Sequence, residues 1–276
     1  MLNTQTINKI EEFVYAKPRS IQEIAACIGK NWRTADRYVE EIEKNYGTIS
    51  TRVFRGGTRG ALKIAYWASV EKVSPSIFQE RLEQEIFSCK KKEDFSAFDI
   101  FQHVPEQNRK ILIYEKEEDN LEEFRKLLLS AQKQILFFSG NLSFINLKEK
   151  KKDLSDIFEK LADKKVMMKI LCRVDLAGKE NIERVLSINS KHGKSLIEIR
   201  HDAHPLRGVV IDGKFVRLKE VKEPTGKINE LNKRVFIFYN ISDKPWAEWL
   251  SRIFWKKFSN SMDANKRLEH LKQIKL

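Results

Sequence analysis

The fold is decided by residues 20–67, which read SIQEIAACIGKNWRTADRYVEEIEKNYGTISTRVFRGGTRGALKIAYW. The stretch opens with Ser20-Ile21-Gln22-Glu23, a capping box in which a serine hydroxyl and a glutamate carboxylate satisfy free N–H groups at a helix start. Apolar residues at helical spacing follow, and Gly29 ends this first helix. A second helix begins near Asn31 and ends at Gly47. Two runs of β-forming residues then flank the glycine-rich segment 55–60, which predicts a hairpin.

This order of helix, turn, helix and hairpin is that of a winged helix-turn-helix, whose second helix enters the major groove of DNA. We expect the first residues of that helix to face the bases and the hairpin to contact the phosphate backbone. The predicted DNA-binding residues are Asn31, Trp32, Arg33, Thr34, Arg37, Arg52, Arg55, Arg59 and Lys63.

The charge of the hairpin region supports this interpretation. Between Lys44 and Val70 there are five basic residues and no acidic residue. A surface that only faces solvent usually mixes the two signs, whereas a phosphate contact needs one sign. Two alternatives stay open, namely a generic small α/β unit and a winged helix that contacts another protein.

Bulk composition also indicates a polyanionic partner. The chain has 276 residues, a formal net charge of +13 and a sequence pI of about 9.5, and 41% of its residues are hydrophobic. This length allows two domains. Nucleic acid is the first candidate partner and an anionic membrane surface the second. No apolar run reaches membrane-spanning length, and the polar N-terminus is not a signal peptide.

The three isolated cysteines indicate a reducing cytoplasm. No phosphate-binding loop, dinucleotide fingerprint or spaced Cys/His set is present in the sequence, so we expect neither a cofactor nor a metal.

The rest of the chain predicts a multi-domain α/β protein. After the DNA-binding domain (1–68) comes a connector (69–117), and strands then alternate with helices over 118–276, as in a sheet covered on both faces. The helix from Pro75 to Cys89 carries an apolar stripe of Phe78, Leu82 and Ile86. Such a stripe packs either against a twin helix in a homodimer or against its own chain.

Four features of residues 118–276 resemble the phospholipase D superfamily. They are the strand ending in Ser139-Gly140-Asn141, the segment 204–214 (HPLRGVVIDGK), the strand Val235–Tyr239 followed by Asn240, and the closing helix that contains Phe254-Trp255. The resemblance implies a catalytic motif of a histidine, any residue, a lysine, four residues and an aspartate. The histidine would attack phosphorus and the lysine would hold phosphate oxygens.

The motif is broken in this chain. Leu206 stands where the lysine should be, and the basic residue, Arg207, lies one position later, with Asp212 at the family's spacing from it. Because side chains alternate along a strand, a slip of one residue turns a side chain to the opposite face. Only one such motif is present where the superfamily uses two. We therefore expect no catalysis and no catalytic residue.

Domain order as a whole resembles the archaeal TrmB-type transcription regulators, which combine an N-terminal winged helix, a dimerisation helix and a non-catalytic phospholipase-D-like domain. The resemblance implies a dimeric regulator on double-stranded DNA, in the cytoplasm at the nucleoid. It also implies a crevice for a sugar or an anion, predicted at Asn141, His204, Arg207 and Asp212. Two alternatives are kept: a nonspecific DNA-coating, chromatin-like protein of this architecture, and a phospholipase-D-type nuclease.

Overall fold

The protein is described by a computed structural model that covers residues 2–55, 61–68, 75–149, 152–193, 195–224, 226 and 231–273. The chain forms two compact units. The N-terminal unit comprises residues 1–78 and 221–235, and the C-terminal unit comprises residues 79–220 and 236–276. The connector predicted at 69–117 is therefore not a separate part, since from Gln79 onward its residues belong to the C-terminal unit.

Three helices and a small sheet make up the first part of the N-terminal unit. The elements are α1 (Thr4–Ala16), β1 (Arg19–Ser20), α2 (Ile21–Ile28), α3 (Trp32–Asn45), β2 (Ile49–Arg55) and β3 (Ala61–Trp67). The strands lie in the order β1-β3-β2 and are antiparallel. The predicted order of helix, turn, helix and hairpin strands is thus present, and the glycine-rich tip with Arg59 lies outside the described residues.

The two central helices begin and end where the sequence predicts. Ser20 and Glu23 form the capping box of α2: the Ser20 N–H donates to Glu23 Oε2 over 2.8 Å, and the Glu23 N–H donates to Ser20 Oγ over 3.2 Å. Gly29 ends the helix in the left-handed region, at φ 67°, which a residue without a side chain adopts at little cost. The core of the unit lies between the three helices and the sheet.

The C-terminal unit is built around an eight-stranded mixed sheet. Its helices are α4 (Pro75–Ser88, which starts in the N-terminal unit), α5 (Ala97–Phe101), α6 (Leu121–Leu129), α7 (Ser155–Asp163), α8 (Lys179–His192), α9 (Lys244–Asn260) and α10 (Ala264–Gln273). Its strands are β4 (Arg109–Tyr114), β5 (Gln134–Phe138), β6 (Lys148–Glu149), β7 (Lys152–Asp153), β8 (Met167–Cys172), β9 (Ile197–His201), β10 (Gly208–Ile211), β11 (Phe215–Lys222), β12 (Val235–Ile241) and β13 (Met262–Asp263). Three short 3-10 helices cover Glu106–Asn108, Glu117–Asn120 and Ser143–Asn146.

The strand order of this sheet is β13-β9-β8-β5-β10-β11-β12-β4, and in the described part of the chain β6 and β7 form a separate two-stranded sheet. Strands β5, β8 and β9 are parallel, while β10 runs antiparallel to β5. One face of the sheet packs on α6, α7, α8 and α10 through a large apolar core. The other face packs on α9, where Phe254 contacts Phe138 edge to face at 5.3 Å. Both faces are thus covered, as the alternation of strands and helices predicted.

Helix α4 packs within its own chain. Leu82 and Ile86 are fully buried, and Lys256 and Lys257 of α9 contact its outer turns at Glu83 and at the ring of Phe87. The proposed use of Leu82 and Ile86 in a dimer interface is therefore wrong. The alternative, packing against the same chain, is what the structure has for these two residues, because both are buried without a second copy. Phe78 is half-buried.

Candidate nucleic-acid interface and C-terminal crevice

Helix α3 is positioned by its cap and by its buried face. The Asn31 side-chain oxygen accepts the Thr34 N–H over 2.9 Å, so this residue caps the helix. One side of α3 is buried in the core through Ala35, Tyr38, Val39 and Ile42. Tyr46 follows the last helical turn and is 56% exposed. The cap and the core together fix which side of α3 faces out.

The outer side of α3 carries aromatic and basic side chains in its first two turns. Trp32 is 37% exposed, and Arg33 and Arg37 are exposed. Residues four apart on a helix share a face, so the two arginines are neighbours. Each guanidinium stays close to the ring beside it, 5.7 Å from the Trp32 centroid for Arg33 and 5.4 Å from the Tyr38 centroid for Arg37. In the part of the chain that the structure describes, neither arginine forms an ion pair.

The acidic side of α3 is neutralised from the hairpin. Lys63 on β3 lies 2.6 Å from both Asp36 Oδ1 and Glu40 Oε1. Partial burial works against the charge of Lys63, but the hydrogen bonds to the two carboxylates outweigh it and raise the pKa of Lys63. Lys63, predicted as a DNA contact, is thus held in an ion-pair cluster. Sequence reasoning missed this ion-pair cluster. The available signal was that Asp36 and Glu40 are four residues apart on α3, so they share a face and can bind one lysine together.

The hairpin ties to α3 at a second point. Glu43 accepts hydrogen bonds from the Thr51 N–H and hydroxyl, both over 2.9 Å. Arg52 lies half-buried on β2, and Arg55 is the last residue of that strand. Of the predicted contacts, Asn31 is an exposed cap and Thr34 is half-buried beside it. Among the predicted basic contacts whose side chains are described, Arg33 and Arg37 are therefore the two that are exposed.

The predicted crevice residue His204 lies in the core of the C-terminal unit. The ring is 2% exposed and packs edge to face on Phe138 at 5.5 Å. Its Nε2 lies 3.2 Å from the Leu171 carbonyl oxygen, so Nε2 carries the proton. Burial, together with the charge of Arg207, lowers the pKa of His204 to about 3. This histidine is neutral at ordinary pH and is shielded from solvent.

Arg207 lies beside the end of β5, and its guanidinium donates hydrogen bonds to backbone carbonyl groups. Its Nη1 donates to the carbonyl oxygens of His204 and Leu206, over 3.0 and 2.7 Å. A side chain at Gly140 would meet the Arg207 Nε at 3.2 Å, so the glycine gives the guanidinium its space. Burial and the nearby Arg173 lower the pKa of Arg207. The guanidinium thus supports the turn before β10.

Asn141 follows Gly140, and its side chain likewise hydrogen-bonds to the backbone. Its side-chain oxygen accepts the Ser143 N–H over 3.2 Å, and its carbonyl accepts a bond from Asn181 over 3.5 Å.

Asp212 does not belong to this crevice. Strands β10 and β5 are antiparallel with Gly208 opposite Phe138 and Ile211 opposite Ile135, which puts Asp212 at the far end of both strands. There it accepts the N–H groups of Gln132, Lys133 and Gln134, each over 2.9 Å. Partial burial opposes its charge, but these three bonds outweigh it and lower the pKa of Asp212. The predicted grouping with Arg207 is therefore corrected, because the four residues of β10 separate Asp212 from Arg207.

A buried polar network, absent from the sequence predictions, crosses β11 and β12. Arg217 is 3% exposed. It donates to Asn240 over 2.7 Å, to Asn120 over 3.2 Å and to Glu123 over 2.6 Å. The sequence around Arg217 gave no signal that this arginine is buried. Its partners lie 23 to 97 residues away in the chain, so no local pattern reveals them.

Among the described residues no group of His, Cys, Asp or Glu is arranged to hold a metal ion. Over the same residues, none of the helices combines the length and the apolar character needed to cross a bilayer.

Comparison with known proteins yields distant structural neighbours. No family model matches the chain, and no curated protein matches it. The chain is similar to TrmBL2, an archaeal chromatin protein with a novel mode of DNA binding, at 18% identity and a TM-score of 0.41, over 95% of this chain and 94% of that one. It is also similar to the phospholipase D family member Nuc from Salmonella typhimurium (14% identity, TM-score 0.40, 56% of this chain and 97% of that one). A third neighbour is NucT from Helicobacter pylori, at 14% identity and a TM-score of 0.39, over 56% of this chain and 98% of that one. At these TM-scores, function has to be derived from the residues of this chain.

Proposed function

We propose that the N-terminal unit is a winged helix-turn-helix that binds double-stranded DNA, with α3 in the major groove. The observation that carries the proposal is the asymmetry of α3. Arg33 and Arg37 are exposed on its first two turns, while Asp36 and Glu40 are held by Lys63. A helix with exposed arginines and neutralised carboxylates suits a polyanion, since only the positive groups remain to interact.

Arg33 and Arg37 are assigned to the base edges. In this class of domain the N-terminal residues of the second helix reach the bases. An arginine that forks onto a guanine contributes roughly 1–3 kcal/mol of discrimination against a wrong base. Trp32 lies one residue earlier, and its exposed ring suits an apolar contact at the groove wall.

The hairpin is assigned to the phosphate backbone. Arg55 ends β2, and Arg59 belongs to the glycine-rich segment outside the described residues. Glycines let the backbone approach closely, and contacts to phosphate position a protein without reading sequence. Lys63 takes no part in this contact, because its ammonium group is used by α3.

A direct test compares three substitutions on one helix. We expect Arg33→Ala and Arg37→Ala each to weaken binding about tenfold or more, on a duplex selected from a random pool by the wild-type protein. Lys44→Ala at the other end of α3 removes the same charge and is the matched control, with little expected effect. Fluorescence anisotropy measures the affinity, and circular dichroism checks the fold. Equal losses in all three variants, or none, would contradict the placement of α3.

A second test addresses the hairpin through the salt dependence of binding. Each phosphate contact contributes about 0.9 to the slope of log K against log salt. The Arg55→Ala/Arg59→Ala variant should therefore lower the slope by about two units. A wild-type slope in this variant would remove the hairpin from the interface.

The protein as a whole is proposed to be a transcription regulator, homodimeric and located at the nucleoid. A nonspecific DNA-coating protein is the second candidate, favoured by the basic excess outside the N-terminal unit: residues 252–276 hold seven basic and two acidic residues. Crosslinking to the genome separates the two. Sharp promoter peaks indicate a regulator, and broad coverage indicates a coating protein.

The C-terminal unit is proposed to bind and not to cut. Phosphoryl transfer through histidine needs a positioned, accessible nucleophile. His204 is buried under Phe138, and Nε2 is engaged with the Leu171 carbonyl, which supports a structural role. Incubation of the pure protein with labelled DNA and a phosphodiester is the test. Turnover that disappears in His204→Gln would establish a nuclease instead.

An anion is the ligand that best suits the neighbourhood of Arg207. Arg173 is a second positive charge near Arg207. Burial lowers the pKa of Arg207 most, and the repulsion from Arg173 lowers it further. A bound anion would relieve that repulsion, whereas a sugar would not. Titration calorimetry with inorganic phosphate, compared between wild type and Arg207→Gln, tests this part of the proposal. Equal heats in both proteins would reject it.

A further inference from the structure

A hollow on the surface of the N-terminal unit lies between α1 and the end of β3. Its volume is about 220 Å³, and it is lined by Asn8, Glu11, Glu12, Tyr15 and Trp67. The first four belong to α1 and share one side of it, because neighbours on a helix surface are three or four positions apart. Sites for drug-sized ligands occupy about 300–1,000 Å³, so this hollow suits an ion of a few heavy atoms.

Two aromatic rings form a corner of the hollow. The ring centroids of Tyr15 and Trp67 are 5.2 Å apart, and the ring planes meet at 88°. Tyr15 is 54% exposed and Trp67 is half-buried, so a ligand can reach both. The face of an aromatic ring is negative and attracts a cation that lies within about 6 Å of the centroid. Because the two centroids are close together, one cation can lie within this distance of both.

Two carboxylates beside the rings add negative charge. The Thr48 hydroxyl donates to Glu11 Oε1 over 2.5 Å, which holds the Glu11 side chain at the wall of the hollow. Glu12 is exposed. Neither glutamate forms an ion pair within the described ranges of the chain. In a chain with a net charge of +13, this small acidic and aromatic surface is complementary to a cation.

We propose that this hollow binds a small quaternary ammonium ion, of which choline is an example, from solution. The alkyl groups of such an ion pack on the rings of Tyr15 and Trp67, while its charge is balanced by Glu11 and Glu12. Aromatic rings recognise quaternary ammonium groups in this way. A primary ammonium keeps its water more strongly and uses the rings less. A hard metal ion needs six or more oxygen ligands, which these side chains do not supply.

The central test compares choline with the neutral alcohol in which a carbon atom replaces the choline nitrogen. The two compounds have the same shape, so a difference in binding reports the charge alone. Binding is followed in the full chain through the NMR signal of the Trp67 indole N–H, which is assigned by its absence in Trp67→Phe. At constant ionic strength, choline should shift this signal saturably, and the alcohol should bind at least about fivefold more weakly. Equal binding of the two, or no shift with choline, would overturn the proposal.

Two pairs of variants locate the site. Tyr15→Ala removes one ring and should weaken choline binding about fivefold, whereas Tyr46→Ala removes an equally exposed tyrosine outside the hollow and should leave binding unchanged. Glu12→Gln should weaken binding about twofold to fivefold, and Glu41→Gln, which removes an exposed carboxylate on α3, is its control. All four side chains are exposed, so the fold should tolerate each change. Equal effects within both pairs would place the binding elsewhere.

A last comparison separates a free ion from a charged side chain of another protein. A short peptide that carries one trimethylated lysine presents the same ammonium group on a backbone. If the hollow serves a free ion, the peptide should bind no more tightly than choline. A peptide that binds tenfold or more tightly would overturn the assignment to a small ion and indicate a protein partner. These measurements need no DNA, so their outcome is independent of the proposed DNA binding.

Discussion

The arginines of the two units are placed in opposite ways. Arg33 and Arg37 on α3 are exposed and make no ion pair among the described residues, whereas Arg217 in the C-terminal unit is buried with three side-chain partners. The exposed arginines keep their contact with water, so they have little effect on the stability of the fold and are available to a ligand. The buried arginine is part of the fold, because its donors are used up inside. Net charge alone therefore overstates how much of the chain can meet a polyanion.

The largest expected effect follows from removing the buried arginine. Arg217→Met leaves Asn240 and Asn120 without their donor in the core and Glu123 without its counter-ion. Leaving a buried polar group without its partner typically costs about 1–3 kcal/mol, and two such groups are left here, so we expect the free energy of unfolding to fall by about 2–6 kcal/mol. Arg33→Met is the control, expected to change stability by less than about 0.5 kcal/mol. Urea denaturation measures both, and similar losses in the two variants would erase the distinction.

His204 extends the comparison to a buried group that titrates. Its pKa is lowered in the folded state to about 3, so the unfolded chain binds the proton more readily. The resulting stability is fully present above pH 6.5 and is lost as the pH falls toward 3. Lowering the pH from 6.5 to 4 should therefore reduce the free energy of unfolding by about 3 kcal/mol through His204. His204→Gln, which retains a donor for the Leu171 carbonyl, should flatten the acid side of the stability profile. An unchanged profile would show that this histidine is not held neutral.

Asn31 separates a structural role from a DNA contact on the exposed side. Loss of an N-cap typically costs about 1 kcal/mol, and we expect this for Asn31→Ala. Asn31→Ser keeps the cap and should keep both stability and affinity. If the serine variant is stable yet binds DNA much less tightly, the Asn31 side chain contacts DNA after all.

Lys63 is expected to show the smallest effect on the salt slope. Its charge is shared with Asp36 and Glu40, so it should release few counter-ions from DNA. Lys63→Met should change the slope by well under one unit, against about two for the Arg55/Arg59 pair. Affinity itself should fall somewhat, because two carboxylates are set free beside α3. Restoration of affinity in Lys63→Met/Asp36→Asn/Glu40→Gln would locate that loss in the carboxylates, and a full unit of slope for Lys63 would place it on phosphate.

Sequence patterns predicted the local elements well because their causes are local. The capping box at Ser20, the left-handed Gly29 and the spacing of apolar residues act within a few residues of chain, and the helices begin and end accordingly. The turn at Asp212-Gly213 is also local: this residue pair is typical of hairpins, and it joins β10 to β11 with both residues at positive φ. Of the three tryptophans of α9, Trp246 and Trp249 are buried, and Trp255 is 37% exposed. Helical spacing alone does not fix how wide the covered face is.

The sequence by itself thus determined the order of helices and strands, the basic hairpin and the broken His204/Arg207 motif. Tertiary structure alone decided which charges are available. It paired Lys63 with α3, buried Arg217, turned Leu82 and Ile86 inward and placed Asp212 at the far end of β10 from Arg207. The physical reason is range: caps and periodicity depend on neighbours in the chain, whereas burial and ion pairing depend on strands and helices that meet only after folding.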